Sequence, residues 1–131
     1  GVVILCRTSN PGARDFQDLE SGGKRLYRHV AERVAQQWNE AGNCMLVIGA
    51  TYPQELAEIR AVVGDLPFLV PGVGAQGGDV AAAVQAGRTV DGFGLVLNSS
   101  RGILYASNGD DFEAAARAAT RALRDEINRH R

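Results

Sequence analysis

The sequence predicts an α/β fold of four parallel strand–helix units, half of a (β/α)8 TIM barrel. Three observations lead there. Apolar runs at residues 2–7, 45–48, 67–70 and 93–97 alternate with helical patterns, an order that favours parallel strands joined by right-handed crossovers. No hairpin signal is read between them. Polar groups follow every run: Thr8-Ser9-Asn10, Thr51, the stretch Gly72 to Asp79, and Ser99-Ser100-Arg101. A doubly wound sheet accepts the same order but gathers its site at one switch point, whereas a barrel furnishes the loops at all its strand C-termini.

The elements justify this in turn. Residues 2–7 read as a buried strand rich in β-branched residues, closed by a turn-forming group, Thr8 to Gly12. A long loop is expected over residues 13–23, where Asp15 and Asp18 flank Phe16; loops of that length are usually functional or mobile. Residues 24–41 form a helix with Leu26, Val30, Val34 and Trp38 at steps of four, giving one apolar stripe. The second strand starts at Cys44 or Met45. Thr51 or Tyr52 caps a helix over residues 54–63, with Pro53 in its first turn and Leu56, Ile59 and Val63 inward. The third strand, 67–70, runs into a Gly-rich loop. An alanine-rich helix covers 79–86, and the fourth strand 93–97. Asp110 caps a last helix reaching about Arg129, with Phe112, Ala115, Ala119, Leu123 and Ile127 in helical period.

With 131 residues, 45% hydrophobic and 22% charged, the chain reads as a single globular segment, 1–131. A net charge of −1 argues against nucleic acid or a membrane surface as partner, since both need a basic excess. No apolar run is long enough to span a bilayer, and none reads as a signal peptide. Cys6 and Cys44 read as small buried thiols in a reduced, cytoplasmic setting. No Cys/His cluster offers a metal site. No initiator Met precedes the first strand, so a fragment of a longer protein is expected.

The stretch Pro71-Gly72-Val73-Gly74-Ala75-Gln76-Gly77-Gly78-Asp79 has too many Gly and Pro for a strand or helix interior. Between a strand and a helix it can turn N–H groups toward an anion, or serve as an ordinary tight turn. Gly72, Gly74 and Gly77 match a dinucleotide fingerprint, but no acidic residue ends a following strand about 20 residues on. A barrel phosphate site uses the loops after strands 7 and 8, here this stretch and Asn98 to Gly102. Arg101 offers a permanently charged fork for phosphate, and Gln76 an amide donor. Ser9 and Asn10 can orient a neutral heterocycle, or simply cap the turn before Pro11.

In that order, Thr8-Ser9-Asn10-Pro11-Gly12, the Pro71 to Asp79 loop and Ser99-Ser100-Arg101-Gly102-Ile103 resemble the C-terminal half of the orotidine 5′-phosphate decarboxylase family, in its longer bacterial branch. The resemblance covers nearly the whole chain. It implies the last four βα units of a barrel and a homodimer that converts orotidine monophosphate to uridine monophosphate without cofactor or metal. It implies that Ser9 contacts the pyrimidine, that Gln76 and Arg101 grip the 5′-phosphate, and that Ser100 and Gly102 face it with backbone. Gly74 and Asn10 join this substrate-binding set.

One departure has consequences. The family protonates carbon with a lysine held in an aspartate network on earlier strands. This chain has one lysine, Lys24, at no strand end. The chain is therefore expected to bind substrate and to need an N-terminal half for chemistry. The competing readings are a non-catalytic phosphate-binding or dimerising half-barrel, and another phosphosugar-handling barrel of the same superfamily.

Overall fold

A computed structural model describes residues 1–74 and 77–131. Its main sheet has four parallel strands, β1 (Val2–Arg7), β4 (Cys44–Ile48), β5 (Phe68–Pro71) and β6 (Leu95–Asn98), in the order β1-β4-β5-β6. Spatial order thus follows chain order with no reversal. A doubly wound sheet reverses at its switch point, so this sheet is the barrel kind.

Between the strands lie α1 (Ala13–Gln17), a two-residue ladder of β2 (Glu20–Ser21) and β3 (Lys24–Arg25), and α2 (Leu26–Arg33), which widens into a π turn at Val34–Trp38. Then come α3 (Pro53–Val63), α4 (Val80–Gly87), α5 (Ser100–Leu104) and α6 (Phe112–His130). Helices α2, α3, α4 and α6 pack side by side along one face. The core lies beneath them. Leu46, Ile48, Phe68 and Val70 point outward from the strands into Tyr27, Ala31, Val34, Leu56, Ile59 and Val84, all essentially inaccessible. Each such aliphatic or aromatic side chain contributes about 1.5–3 kcal/mol by leaving water.

The opposite sheet face is left bare. Val3 and Leu5 are 54% and 67% exposed, and Val96 is 50% exposed. The first strand is therefore not the buried strand expected: it is a sheet edge with one neighbour, and alternate side chains leave on the uncovered face.

Other expectations also shift. The long loop of residues 13–23 holds α1, and a hairpin does occur, because Gly22 and Gly23 adopt φ of 59° and 76°. Two consecutive positive φ values match the twist of a two-residue hairpin turn. That hairpin takes Lys24 and Arg25 out of the helix. The buried stripe becomes Tyr27, Ala31 and Val34, while Leu26 and Trp38 are 40% and 56% exposed. Helix α3 begins at Pro53 with Tyr52 as N-cap, and neither Thr51 nor Tyr52 supplies a side-chain cap. Strand β6 begins at Leu95, since Phe93 N–H is drawn into a turn by the hydroxyl of Thr89 and the carboxylate of Asp91. The Asn98 to Gly102 stretch runs into α5 from Ser100, and the last helix is capped at Asp111, where Ser107 donates to Oδ1 at 2.5 Å. Of its apolar positions only Leu123 and Ile127 pack on the core, half-buried; Phe112 is exposed.

Arg60, on α3, ties the strand N-termini together. Its guanidinium donates to the carbonyls of Gly87 (2.8 Å), Gly64 (2.5 Å), Leu66 (2.7 Å) and Gly94 (3.3 Å) and stacks 3.7 Å over Phe68.

Candidate functional site

Parallel strands with short βα loops bring all four strand C-termini to one rim. Two concavities meet there. The first, of about 80 Å³, is lined by Pro71, Gly72 and Val73 after β5 and by Asn98 to Arg101 after β6. The second, lined by Ser9, Asn10, Pro11, Thr51 and Pro71, joins the ends of β1, β4 and β5. Pro71 lines both, so the two hollows lie side by side along the rim.

In the first hollow, Arg101 is exposed and, among the described residues, has no carboxylate partner. The first intrahelical bond of α5 runs from Ile103 N–H to Ser99 carbonyl at 3.2 Å, which leaves the amides of Ser100, Arg101 and Gly102 without helical acceptors. Ser100 Oγ donates to Asn98 Oδ1 at 3.3 Å. The Gly-rich loop is pinned at its base: Gly78 N–H donates to Gly72 carbonyl (3.2 Å) and Gly74 N–H to Gly78 carbonyl (3.0 Å). Gly74 thus spends its amide inside the loop and lines neither hollow. Gln76 lies outside the described residues. Asp79 caps α4, its Oδ1 accepting from Ala82 N–H at 2.9 Å.

In the second hollow, Ser9 Oγ is buried with no hydrogen-bond partner among the described residues. It rests directly on Gly49, where an added Cβ would fall on the hydroxyl. Such a buried, unspent hydroxyl is uncommon away from functional sites. Asn10 is exposed at the rim.

Sequence reasoning missed Arg7. Only 1% exposed, it ends β1 between the rings of Tyr52 (4.4 Å) and Tyr27 (5.3 Å). Asp18 sits 3.1 Å from it and Glu55 3.7 Å. A charged residue closing an apolar strand was the one available signal. Gln17 was missed as well: its Oε1 accepts from Thr8 N–H and its Nε2 donates to Thr8 Oγ1, both at 2.9 Å. Asp18 is therefore an anchor for Arg7. Lys24 stands apart in the hairpin, held by Glu32 at 2.8 Å. No group of metal-binding side chains occurs among the described residues.

Half a (β/α)8 barrel, with an arginine-bearing hollow beside a hydroxyl-and-amide hollow at its strand ends, is the class of protein this segment defines. The chain belongs to the Orotidine 5'-phosphate decarboxylase / HUMPS family, whose model matches residues 1–119. It is 60% identical over its full length to orotidine 5'-phosphate decarboxylase of Azoarcus sp. strain BH72, covering 48% of that protein. It is 61% identical to the same enzyme of Aromatoleum aromaticum, again over the whole chain and 49% of the relative. The chain thus spans about half the length of the curated relatives it matches. Among solved structures it is similar to Leishmania donovani UMP synthase (TM-score 0.81, 47% identity, 95% of this chain and 26% of that one). It is also similar to Leishmania donovani OMP decarboxylase (TM-score 0.76, 41% identity, 94% and 46%).

Proposed function

We propose that this chain is the C-terminal, substrate-gripping half of an orotidine 5′-phosphate decarboxylase, which converts orotidine monophosphate to uridine monophosphate and carbon dioxide in pyrimidine biosynthesis. The observation that carries the reading is that the two hollows lie next to each other, with Pro71 lining both. A nucleoside monophosphate has the matching chemistry, an anionic phosphate at one end and a neutral ring at the other. Arg101, the first-turn amides of Ser100 and Gly102, and Gln76 grip the phosphate. Ser9 and Asn10 orient the ring, and Gly74 helps shape the loop over the ligand. Binding energy gathered at the phosphate, remote from the reacting carbon, offsets the cost of desolvating and positioning the carboxylate.

In this reading the bond between ring carbon and carboxylate breaks, carbon dioxide leaves, and a lysine ammonium delivers a proton to the carbon. Lys24 is not that lysine, for it is committed to Glu32 off the main sheet. The lysine and its aspartates come from an N-terminal half of the barrel, which also covers Val3, Leu5 and Val96. The completed enzyme is a cytoplasmic homodimer that needs no cofactor or metal and has no nucleic-acid partner. Among the described residues no helix is long and apolar enough to cross a membrane, and two buried free thiols suit a reducing compartment.

Isothermal titration of the full-length protein with uridine monophosphate, ribose 5-phosphate and inorganic phosphate tests this. Uridine monophosphate should bind tightest. Binding of only the other two would sink the pyrimidine reading.

A further inference from the structure

We propose that Gln17 is a positioning residue for ring specificity: it sets the direction of a hydrogen-bond chain that makes Asn10 present its NH2 donors, not its oxygen, to the ring hollow. The proposal rests on the reading of the Ser9–Asn10 hollow as a ring site.

The chain begins at a group that cannot reverse. The Thr8 backbone N–H is a donor only, so the Gln17 side-chain atom 2.9 Å from it must be the carbonyl oxygen. The Gln17 NH2 is then the atom facing Thr8 Oγ1, also at 2.9 Å, and it donates there. Because Gln17 donates to it, the Thr8 hydroxyl keeps its one hydrogen free and gives it to Asn10 at 2.5 Å, where the atom it meets is Oδ1. Amide orientation is assigned from such networks, and here a backbone N–H fixes the first link, Gln17, from which the Thr8 and Asn10 links follow as the structure has them. Asn10 is left with its NH2 outward at the rim of the hollow it lines.

Gln17 is itself held from behind. Arg7, buried and bonded to Asp18, directs Nη1 toward Gln17 Oε1 at 3.5 Å. A cation there favours the oxygen on that side, the same orientation that Thr8 demands. Outward NH2 groups suit a ring whose edge carries carbonyl oxygens, as uracil and orotate do. They oppose an exocyclic amino group, as in cytosine, which places donor against donor.

The test is Gln17→Glu in the full-length protein, with titration of uridine monophosphate, cytidine monophosphate and ribose 5-phosphate. Glutamate keeps the size and the acceptor for Thr8 N–H, and Arg7 stands ready to pair with it. It accepts from the Thr8 hydroxyl instead of donating to it, so Asn10 must turn over to donate to Oγ1 and show its oxygen. Uridine monophosphate should bind roughly 2- to 13-fold more weakly, one net neutral hydrogen bond. Ribose 5-phosphate should bind as before, and the preference for uridine over cytidine monophosphate should shrink. Thr8→Val, which cuts the chain at its hydroxyl but keeps the backbone N–H that holds Gln17 Oε1, should reduce the same preference and serves if the first variant is poorly folded. If the wild type shows no preference for uridine over cytidine monophosphate, or if both variants keep its full ratio, the role of Gln17 is overturned. If the wild type binds uridine monophosphate no more tightly than ribose 5-phosphate, the ring-site reading falls, and this proposal with it.

Discussion

Arg101→Ala in the full-length protein separates binding from folding. The side chain is exposed and, among the described residues, pairs with no carboxylate. Its removal should therefore change stability by no more than about 0.5 kcal/mol, the ordinary surface range. A charge-assisted contact to a phosphate is worth about 1.5–3 kcal/mol, equivalent to roughly 10- to 150-fold in kcat/KM. Arg101→Lys should recover only part of that loss, because a point charge does not reproduce the planar fork. The assay is turnover of orotidine monophosphate beside orotidine, its analogue lacking the phosphate. Wild type and Arg101→Ala should differ on the first and react at nearly equal, slow rates on the second. Equal impairment on both substrates, or a large fall in melting temperature, would mean that Arg101 braces the barrel and does not hold the ligand.

Two further outcomes are expected. Gly49→Ala drives a methyl into Ser9 Oγ, an overpacking cost of about 1–3 kcal/mol; chemical denaturation should register it, titration should show weaker uridine monophosphate binding, and Ser9→Gly added to the same chain should restore much of the stability. Burial pushes the Cys6 thiol up to about 12 from its usual 9.0, so between those values the unfolded chain has lost a proton that the folded chain keeps. The Cys6 contribution is whole below pH 9 and is lost as pH rises toward 12; denaturation midpoints should fall over that span less steeply in Cys6→Ala, and native Cys6 should resist alkylation at pH 8.

How much of this was written in the sequence depends on the range of the interaction. The apolar run from Met45 to Ile48 is local, and the strand it predicts is present. The placement of Arg101 and Ser9 at strand ends was likewise legible, since a βα repeat itself delivers them to one rim. The hairpin at Gly22-Gly23 had a local signal too, but the helical spacing of Leu26, Val30, Val34 and Trp38 competed with it and misplaced both the helix start and its buried face. The burial of Arg7, as against its place at a strand end, was illegible for another reason. It depends on Asp18 and Glu55 returning from distant positions, and spacing along a chain carries no record of such a return. Gln17 is the same case at shorter range, because its amide acquires meaning only once α1 folds back on Thr8.

Arg60 has a consequence for how freely such a barrel can change. Its four carbonyl acceptors all lie at the ends of the βα units away from the two rim hollows: Gly64 and Leu66 before β5, Gly87 at the end of α4, Gly94 before β6. Adjacent units are thus riveted from below by one side chain that lines neither hollow. Mutational tolerance should follow that division. The rim segments after β1, β5 and β6 can accept new side chains, and in time new ligands, at small cost to the frame. Replacing Arg60 strands several backbone oxygens at once and loosens every loop mounted above it. A library built on this scaffold would keep Arg60 constant and vary the residues around Pro71.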